Sequence, residues 1–190
     1  VLWSFFLGYL LTQVAGGWLA DRYGGKRVLG FGVIFWSLFT LLTPAAALGG
    51  MTALLITRVL MGVGEGVTFP SVYALFGHWI PERERSRAVG ILFSMIPLGS
   101  VFALVATPPL VARFGWASAF YLFGAVGFLW WFAWQRVAAK TPGDHPRLDP
   151  AERAYIEAHL GTDASAAPPT LKAMLAQPAI WAIVVCHFCA

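Results

Sequence analysis

A chain of 190 residues that is 58% hydrophobic and only 12% charged, with mean hydropathy +0.70, is too apolar for an ordinary soluble domain and reads as a multi-span membrane protein. A net charge of +4 and a pI near 9.4 do not make it a nucleic-acid binder, because the basic residues sit in short clusters between apolar spans, where topology accounts for them. Val1 lies inside one apolar run and Ala190 inside another, the pattern expected of a fragment.

Residues 1–19 carry no charge and are long enough to cross about 30 Å of hydrocarbon at 1.5 Å per residue. No basic leader or small-residue cleavage pattern marks them as a signal peptide, so they read as a span. Tyr9 and Gln13, four apart, share a face, with Gly16 and Gly17 further along. That face serves either helix-to-helix hydrogen bonding or the polar wall of a cavity. Residues 17–29 form a tight charged connection in which Asp21 can cap or pair locally and Gly24 and Gly25 let the chain reverse. A second uncharged span over 28–48 shows no functional feature, and residues 44–50 read as a short turn.

The third span, 51–79, contains RVLMGVGEGVTFP at 58–70, an arginine and a glutamate within a segment otherwise built for lipid. Seven residues make nearly two helical turns, so Arg58 and Glu65 lie on one face about 10 Å apart along the axis, with Gly62 and Phe69 in the same stripe. Two charges near a bilayer centre cost about 5 to 7 kcal/mol, which the surrounding Leu, Ile, Val and Phe only roughly offset, so this stripe must face neighbouring helices or a wet cavity. Two readings stay open: an interior ion pair locking helices together, or a site for substrate and proton. Gly62, Gly64 and Gly66 contain a G-x-x-x-G that permits close helix approach. They are not a G-x-G-x-x-G and no strand precedes them, so no cofactor loop is expected. Pro70 is expected to kink or unwind the helix.

His78 suits a helix end better than a metal, and the alternating charges of 81–87 make a solvated loop in which Glu82 and Glu84 pair with nearby arginines. The next span is expected over 88–110, bent or ended by Pro97, Pro108 and Pro109. After a turn at 114–116, a span over 117–136 ends in Trp130, Trp131 and Trp134, which mark a membrane interface. Residues 137–175 shift to charged residues, Pro and Ala and read as a linker. Within it Asp149, Pro150 and Glu152 spell a helix start, and Tyr155, Ile156 and Leu160 give that helix one apolar face for the membrane surface or a neighbouring loop. Pro168 and Pro169 end the linker, and 176–190 begins a new apolar run. Cys186 and Cys189 flank His187 there, a pair read as packing rather than redox or metal chemistry. Eleven basic residues fall on one side (Arg22, Lys26, Arg27, Arg83, Arg85, Arg87, Arg136, Lys140, Arg147, Arg153, Lys172) against Arg113 alone in the opposite loops, which makes the first side cytoplasmic.

Gly17, Leu19, Ala20, Asp21, Arg22, Gly24 and Lys26 resemble motif A of the major facilitator superfamily, between helices 2 and 3, with Gly25 in place of a usual basic residue. The resemblance implies an all-α membrane protein: helices 2 to 6 of an N-terminal six-helix bundle, the central loop and the start of helix 7, without helix 1 or most of the C-terminal half. Residues 4–13 (SFFLGYLLTQ), 58–70, 79–87 (WIPERERSR), 115–116 (GW) and 142–156 (PGDHPRLDPAERAYI) are similar to the anion:cation symporter branch. That branch includes sialin, the vesicular glutamate transporters, organellar phosphate transporters and bacterial sugar-acid transporters. The likeness implies that Arg58 holds an anionic substrate or its partner carboxylate, that Glu65 couples protons, and that Tyr9 and Phe69 line the cavity. Gln13 is placed with them as a substrate-binding residue on the polar face it shares with Tyr9. Gly17, Asp21, Arg22, Gly24 and Lys26 are implied to gate conformation. Phe69 stands where the glutamate transporters have tyrosine and Leu2 where they have histidine, which argues against glutamate.

The function expected is secondary transport of a small organic anion such as a sugar acid, proton-coupled, by alternating access in an inner or plasma membrane. Phosphate or sodium-coupled anion transport is the alternative, and a non-transporting receptor or scaffold with a structural Arg58–Glu65 pair is another. Arg58 can hold a carboxylate or phosphate through paired hydrogen bonds, and a desolvated Glu65 favours its protonated form, so it can exchange a proton with substrate occupancy. An intramembrane enzyme is disfavoured, since no nucleophile with a base, metal-ligand cluster or phosphate loop is spelled out; no cofactor is expected.

Overall fold

The computed structural model describes residues 2–160 and 176–189, and among them every regular element is helical. Residues up to Leu160 form one compact unit; a helix at Pro178–Cys189, here α8, belongs to a second. In the first unit the helices are α1 (Leu2–Tyr23), α2 (Gly25–Leu48), α3 (Met51–Glu65), α4 (Thr68–Trp79), α5 (Arg85–Phe114), α6 (Ala117–Val137) and α7 (Pro150–His159). Among the described residues four segments are long and apolar enough to cross a bilayer: α2, α3 with α4, α5 with the 3-10 turn Glu82–Glu84 that precedes it, and α6. At 22 residues α1 has the length, but Gln13, three glycines and the Asp21–Arg22 end keep it out of that set.

The helix ends follow local chemistry. Gly24, at φ +88°, is the single residue between α1 and α2, and its N–H returns to the Ala20 carbonyl at 2.9 Å. Gly25 was expected to share that reversal but is already helical and buried; a Cβ there would collide with the Ser71 carbonyl of α4. The turn expected over 44–50 shrinks to Gly49–Gly50, because α2 runs through Pro44 to Leu48. Likewise α5 runs through Pro97, Pro108 and Pro109 to Phe114, past the end expected near 110. In an apolar segment a broken helix would strand several backbone groups away from water, whereas a proline forfeits one hydrogen bond, so the helix persists. In the third span the interruption falls at Gly66–Val67, one turn before Pro70. Pro70 has no N–H for the Gly66 carbonyl four residues back, and the ladder resumes with the Ser71 N–H to the Val67 carbonyl at 3.1 Å.

The core is a glycine-tight seam. The α3 helix packs on α1 and α2, while α6 packs on the other side of α2. A Cβ at Gly62 would collide with the Phe5 carbonyl of α1, and one at Gly64 would crowd Trp36 of α2, so both positions need a bare backbone. By contrast α5 contains no buried residue and rests on α6 and the 3-10 turn. After α6, the Asp149 side chain accepts the Ala151 N–H at 3.3 Å and starts α7 as its sequence requires. Ile156 is buried, and the Tyr155 hydroxyl donates to Glu84 at 3.0 Å, so this helix lies on the neighbouring loop. Of the pairings expected in that loop, Glu82 reaches Arg85 at 4.0 Å, whereas Glu84 takes Tyr155. Pro168, Pro169 and Lys172 lie outside the described residues, as do the side chains of His187 and Cys189; Cys186 is exposed and free.

Candidate functional site

The seam fixes how α3 is rotated: its glycines lie against α1 and α2, which leaves Arg58 and Glu65 on a flank that opens away from the tight contacts. The two charges share a cavity of about 370 Å³ with Trp36 and Thr40 of α2, Met61 of α3, and Ala119, Phe120 and Phe123 of α6. Neither forms an ion pair among the described residues, whose two salt bridges lie at Arg85–Glu82 and Arg153–Glu157. The guanidinium carbon of Arg58 sits 5.7 Å from the Phe120 ring centroid, and its Nε is buried without a hydrogen-bond acceptor. Arg58 thus lines a space large enough for a small ligand while its guanidinium has no acceptor among the described residues.

A second cavity of about 340 Å³ adjoins the first at Glu65 and Trp36, which line both. Its other walls include Tyr9 of α1, Thr68, Phe69 and Val72 of α4, and Leu92 and Ile96 of α5. Phe69 is stacked on Phe93 at 5.8 Å and on Tyr73 at 6.5 Å, which holds its ring as a fixed apolar wall. The Thr68 hydroxyl is also buried without a partner, so each cavity contains one orphaned polar atom.

Of the residues expected at the site, Arg58, Glu65, Tyr9 and Phe69 come together across these two cavities, while Gln13 is half-buried and lines neither. Gly17, Asp21, Arg22, Gly24 and Lys26, expected from the resemblance to gate conformation, lie apart from it, at the end of α1 and the start of α2. Asp21 is exposed with no hydrogen bond or ion pair among the described residues, and so provides no cap. Arg22 lies over the rings of Trp18 at 5.3 Å and Tyr23 at 5.8 Å, and the Lys26 carbonyl accepts from the Trp134 indole at 3.1 Å. Trp36, Thr40, Phe120 and Phe123 were not foreseen as cavity walls. One signal was available: Trp36 is the twelfth residue of a 24-residue apolar helix, at its midpoint, whereas tryptophans that only anchor a span gather at its ends.

Compared with known proteins, the chain matches the family model described as Major Facilitator Superfamily over residues 1–190. It is similar to a sodium-dependent phosphate transport protein 1, chloroplastic, from Arabidopsis thaliana (46% identical, covering 98% of this chain and 36% of that protein). It is also similar to an ascorbate transporter, chloroplastic, from the same plant (45% identical, 98% of this chain and 34% of that protein). A sialin from Ovis aries is 40% identical over 99% of this chain and 38% of its own length. The chain therefore spans a little over a third of the length of these relatives.

Proposed function

The chain belongs to the Major Facilitator Superfamily, and from that premise we propose that it forms part of a secondary carrier for small organic anions, sugar acids or related carboxylates, in which Arg58 holds the anionic group and Glu65 couples a cation. The observation that supports this most is the separation of the two charges: they share a cavity without pairing, and Arg58 keeps a buried, unsatisfied Nε.

Arg58 offers a planar fork whose charge is permanent, so a carboxylate or phosphate entering the cavity gains paired, charge-assisted hydrogen bonds. Phe120 on one side and Trp36 on another supply rings for an apolar or sugar-like body, while the Thr40, Thr68 and Tyr9 side chains supply hydroxyls. Glu65, at the junction of both cavities, adds a negative charge that opposes an incoming anion until a cation neutralises it. Neutralisation by a proton links anion occupancy to the proton gradient, and the neutral, loaded bundle can then rock between access states. The carboxylate at the junction can equally take sodium, a second reading favoured by the similarity to a sodium-dependent phosphate transport protein.

The basic clusters orient that end of the bundle toward the cytoplasm, in an inner or plasma membrane. Two relatives are named chloroplastic, so fractionation of the full-length protein decides which membrane holds it. Reconstitution of the full-length carrier into proteoliposomes, with imposed proton or sodium gradients and a panel of sugar acids, ascorbate and phosphate, tests substrate and ion together. Glu65→Gln removes the titrating charge, so concentrative uptake should fail while exchange of anion for anion persists. Accumulation against a gradient by that variant would take the coupling role from Glu65.

A further inference from the structure

At the opposite end of α2 from Gly50 lies a cavity with a different chemistry. It occupies about 670 Å³ and is walled by Arg22, Lys26 and Arg27 from the α1–α2 junction and by Arg136 and Lys140 from the end of α6 and the loop after it. Asp144 is the one carboxylate among its walls, and it already accepts the Thr141 hydroxyl at 2.8 Å. His145 is held locally: its Nδ1 lies 3.3 Å from the Arg147 N–H and its Nε2 3.1 Å from the Val137 carbonyl. Five cations thus face one engaged carboxylate, and none of the five makes an ion pair among the described residues. The α2 helix, 24 residues long, begins here at Gly25 with Gly24 as its N-cap and no side chain capping its N-terminus, which adds the positive end of its dipole.

The cavity is built rather than left over. Trp79 of α4 donates its indole N–H to the Ala139 and Lys140 carbonyls at 3.2 and 3.3 Å, pinning the loop so that the Lys140 stem lies over Gly24. Trp134 donates to the Lys26 carbonyl and stacks on Trp130 at 4.9 Å, so an aromatic collar of the kind found at headgroup depth borders the cations. A second cavity of about 490 Å³ meets the first at Tyr23 and Arg27 and runs along α1, α2 and α3, where Leu19, Phe31, Phe35 and Val67 make it almost wholly apolar.

We propose that these two adjoining spaces form a binding site for one anionic phospholipid, its phosphate-bearing headgroup among Arg27, Lys26, Arg136 and Lys140 and one acyl chain in the apolar groove beyond Tyr23 and Arg27. The groove is what favours a lipid over free phosphate, which would use the cations and leave the groove empty. The site would tie α1, α2 and α6 together at their basic end, apart from the Arg58–Glu65 cavities and independent of what the carrier moves.

The test uses the full-length protein in nanodiscs of phosphatidylcholine with or without phosphatidylglycerol, with retained lipid counted by native mass spectrometry. Wild type should hold one phosphatidylglycerol selectively. Replacing Arg136 and Lys140 together by glutamine should weaken that retention about 30-fold, from roughly fivefold per basic residue. Arg83→Gln with Arg87→Gln, equally basic and exposed but outside the cavity, should leave it unchanged. Equal loss in both double variants, or loss in neither, overturns the site. A dihexanoyl phosphatidylglycerol that binds as well as the long-chain lipid removes the groove from it. Inorganic phosphate that protects against thermal unfolding in pure phosphatidylcholine as well as phosphatidylglycerol does would make the ligand a free anion and overturn the lipid. A photoreactive phosphatidylglycerol on wild type, which needs no variant to fold, should label peptides covering 22–27 and 136–146; labelling elsewhere contradicts the proposal.

Discussion

The seam where α3 meets α1 and α2, and the surface of α5, are built from the same kinds of residue and packed in opposite ways. In the seam, backbones approach so closely that Gly8, Gly62 and Gly64 have no room for a methyl group. Along α5, Gly90 and Gly99 have open space where a Cβ would go, and Leu104 and Val105 are 73% and 70% exposed. Within this chain, which spans a little over a third of its relatives' length, the first surface is already closed, whereas the second stays open to lipid or to further helices. The difference teaches where rigidity is kept. The seam immobilises one side of α3, and the charged flank is thereby aimed into the cavities shared with α6 and α4.

The comparison breaks most sharply at its glycines. Gly62→Ala forces the α1 and α3 backbones apart and should destabilise the full-length protein by about 3 kcal/mol, seen as a lower melting temperature in detergent. Gly99→Ala meets nothing and should be neutral or stabilising by up to about 1 kcal/mol. Equal effects would dissolve the distinction between seam and surface. Next in size is Arg58→Lys, which keeps the charge and loses the fork, so the KM for the transported anion should rise about tenfold or more while the melting temperature holds. The smallest effect is at the α7 contact. The hydrogen bond to Glu84, then its negative charge, raises the Tyr155 phenol above its ordinary 10.0. The folded contact therefore contributes fully below pH 10 and is lost as pH rises through the higher folded value. A difference titration of phenol absorbance, wild type minus Tyr155→Phe, should show this group ionising late, and Glu84→Gln should bring it back toward 10.

What the sequence made legible follows the same division. Span positions came from apolar length, and the Asp149 start of α7 from a cap whose chemistry is complete within four residues. Pro44, Pro108 and Pro109 misled because the rule that proline ends a helix assumes water waiting for the freed backbone groups, which a bilayer interior withholds. Arg58 and Glu65 stood out because charge in an apolar run must be explained. Trp36, Thr40 and Phe120 did not, since nothing in their own chemistry separates a cavity wall from a core residue. That distinction depends on how α2 and α6 rotate about their axes, which glycine contacts such as Gly124 against Leu41 and the Ser37 carbonyl determine. Gln13 shows the converse: its polarity suggested a wall, but it lines neither of these two cavities.

The central claim is that Arg58 and Glu65 face a shared cavity as separate groups, and a double-mutant cycle on the stability of the full-length protein tests it most directly. Arg58→Met, Glu65→Gln and the combined variant, measured without added anion, should give a coupling energy below about 2 kcal/mol, the attraction left between two unpaired charges roughly 10 Å apart. A coupling of about 3 to 5 kcal/mol, with each single variant strongly destabilised and the double variant partly rescued, would mean a buried ion pair and contradict the account.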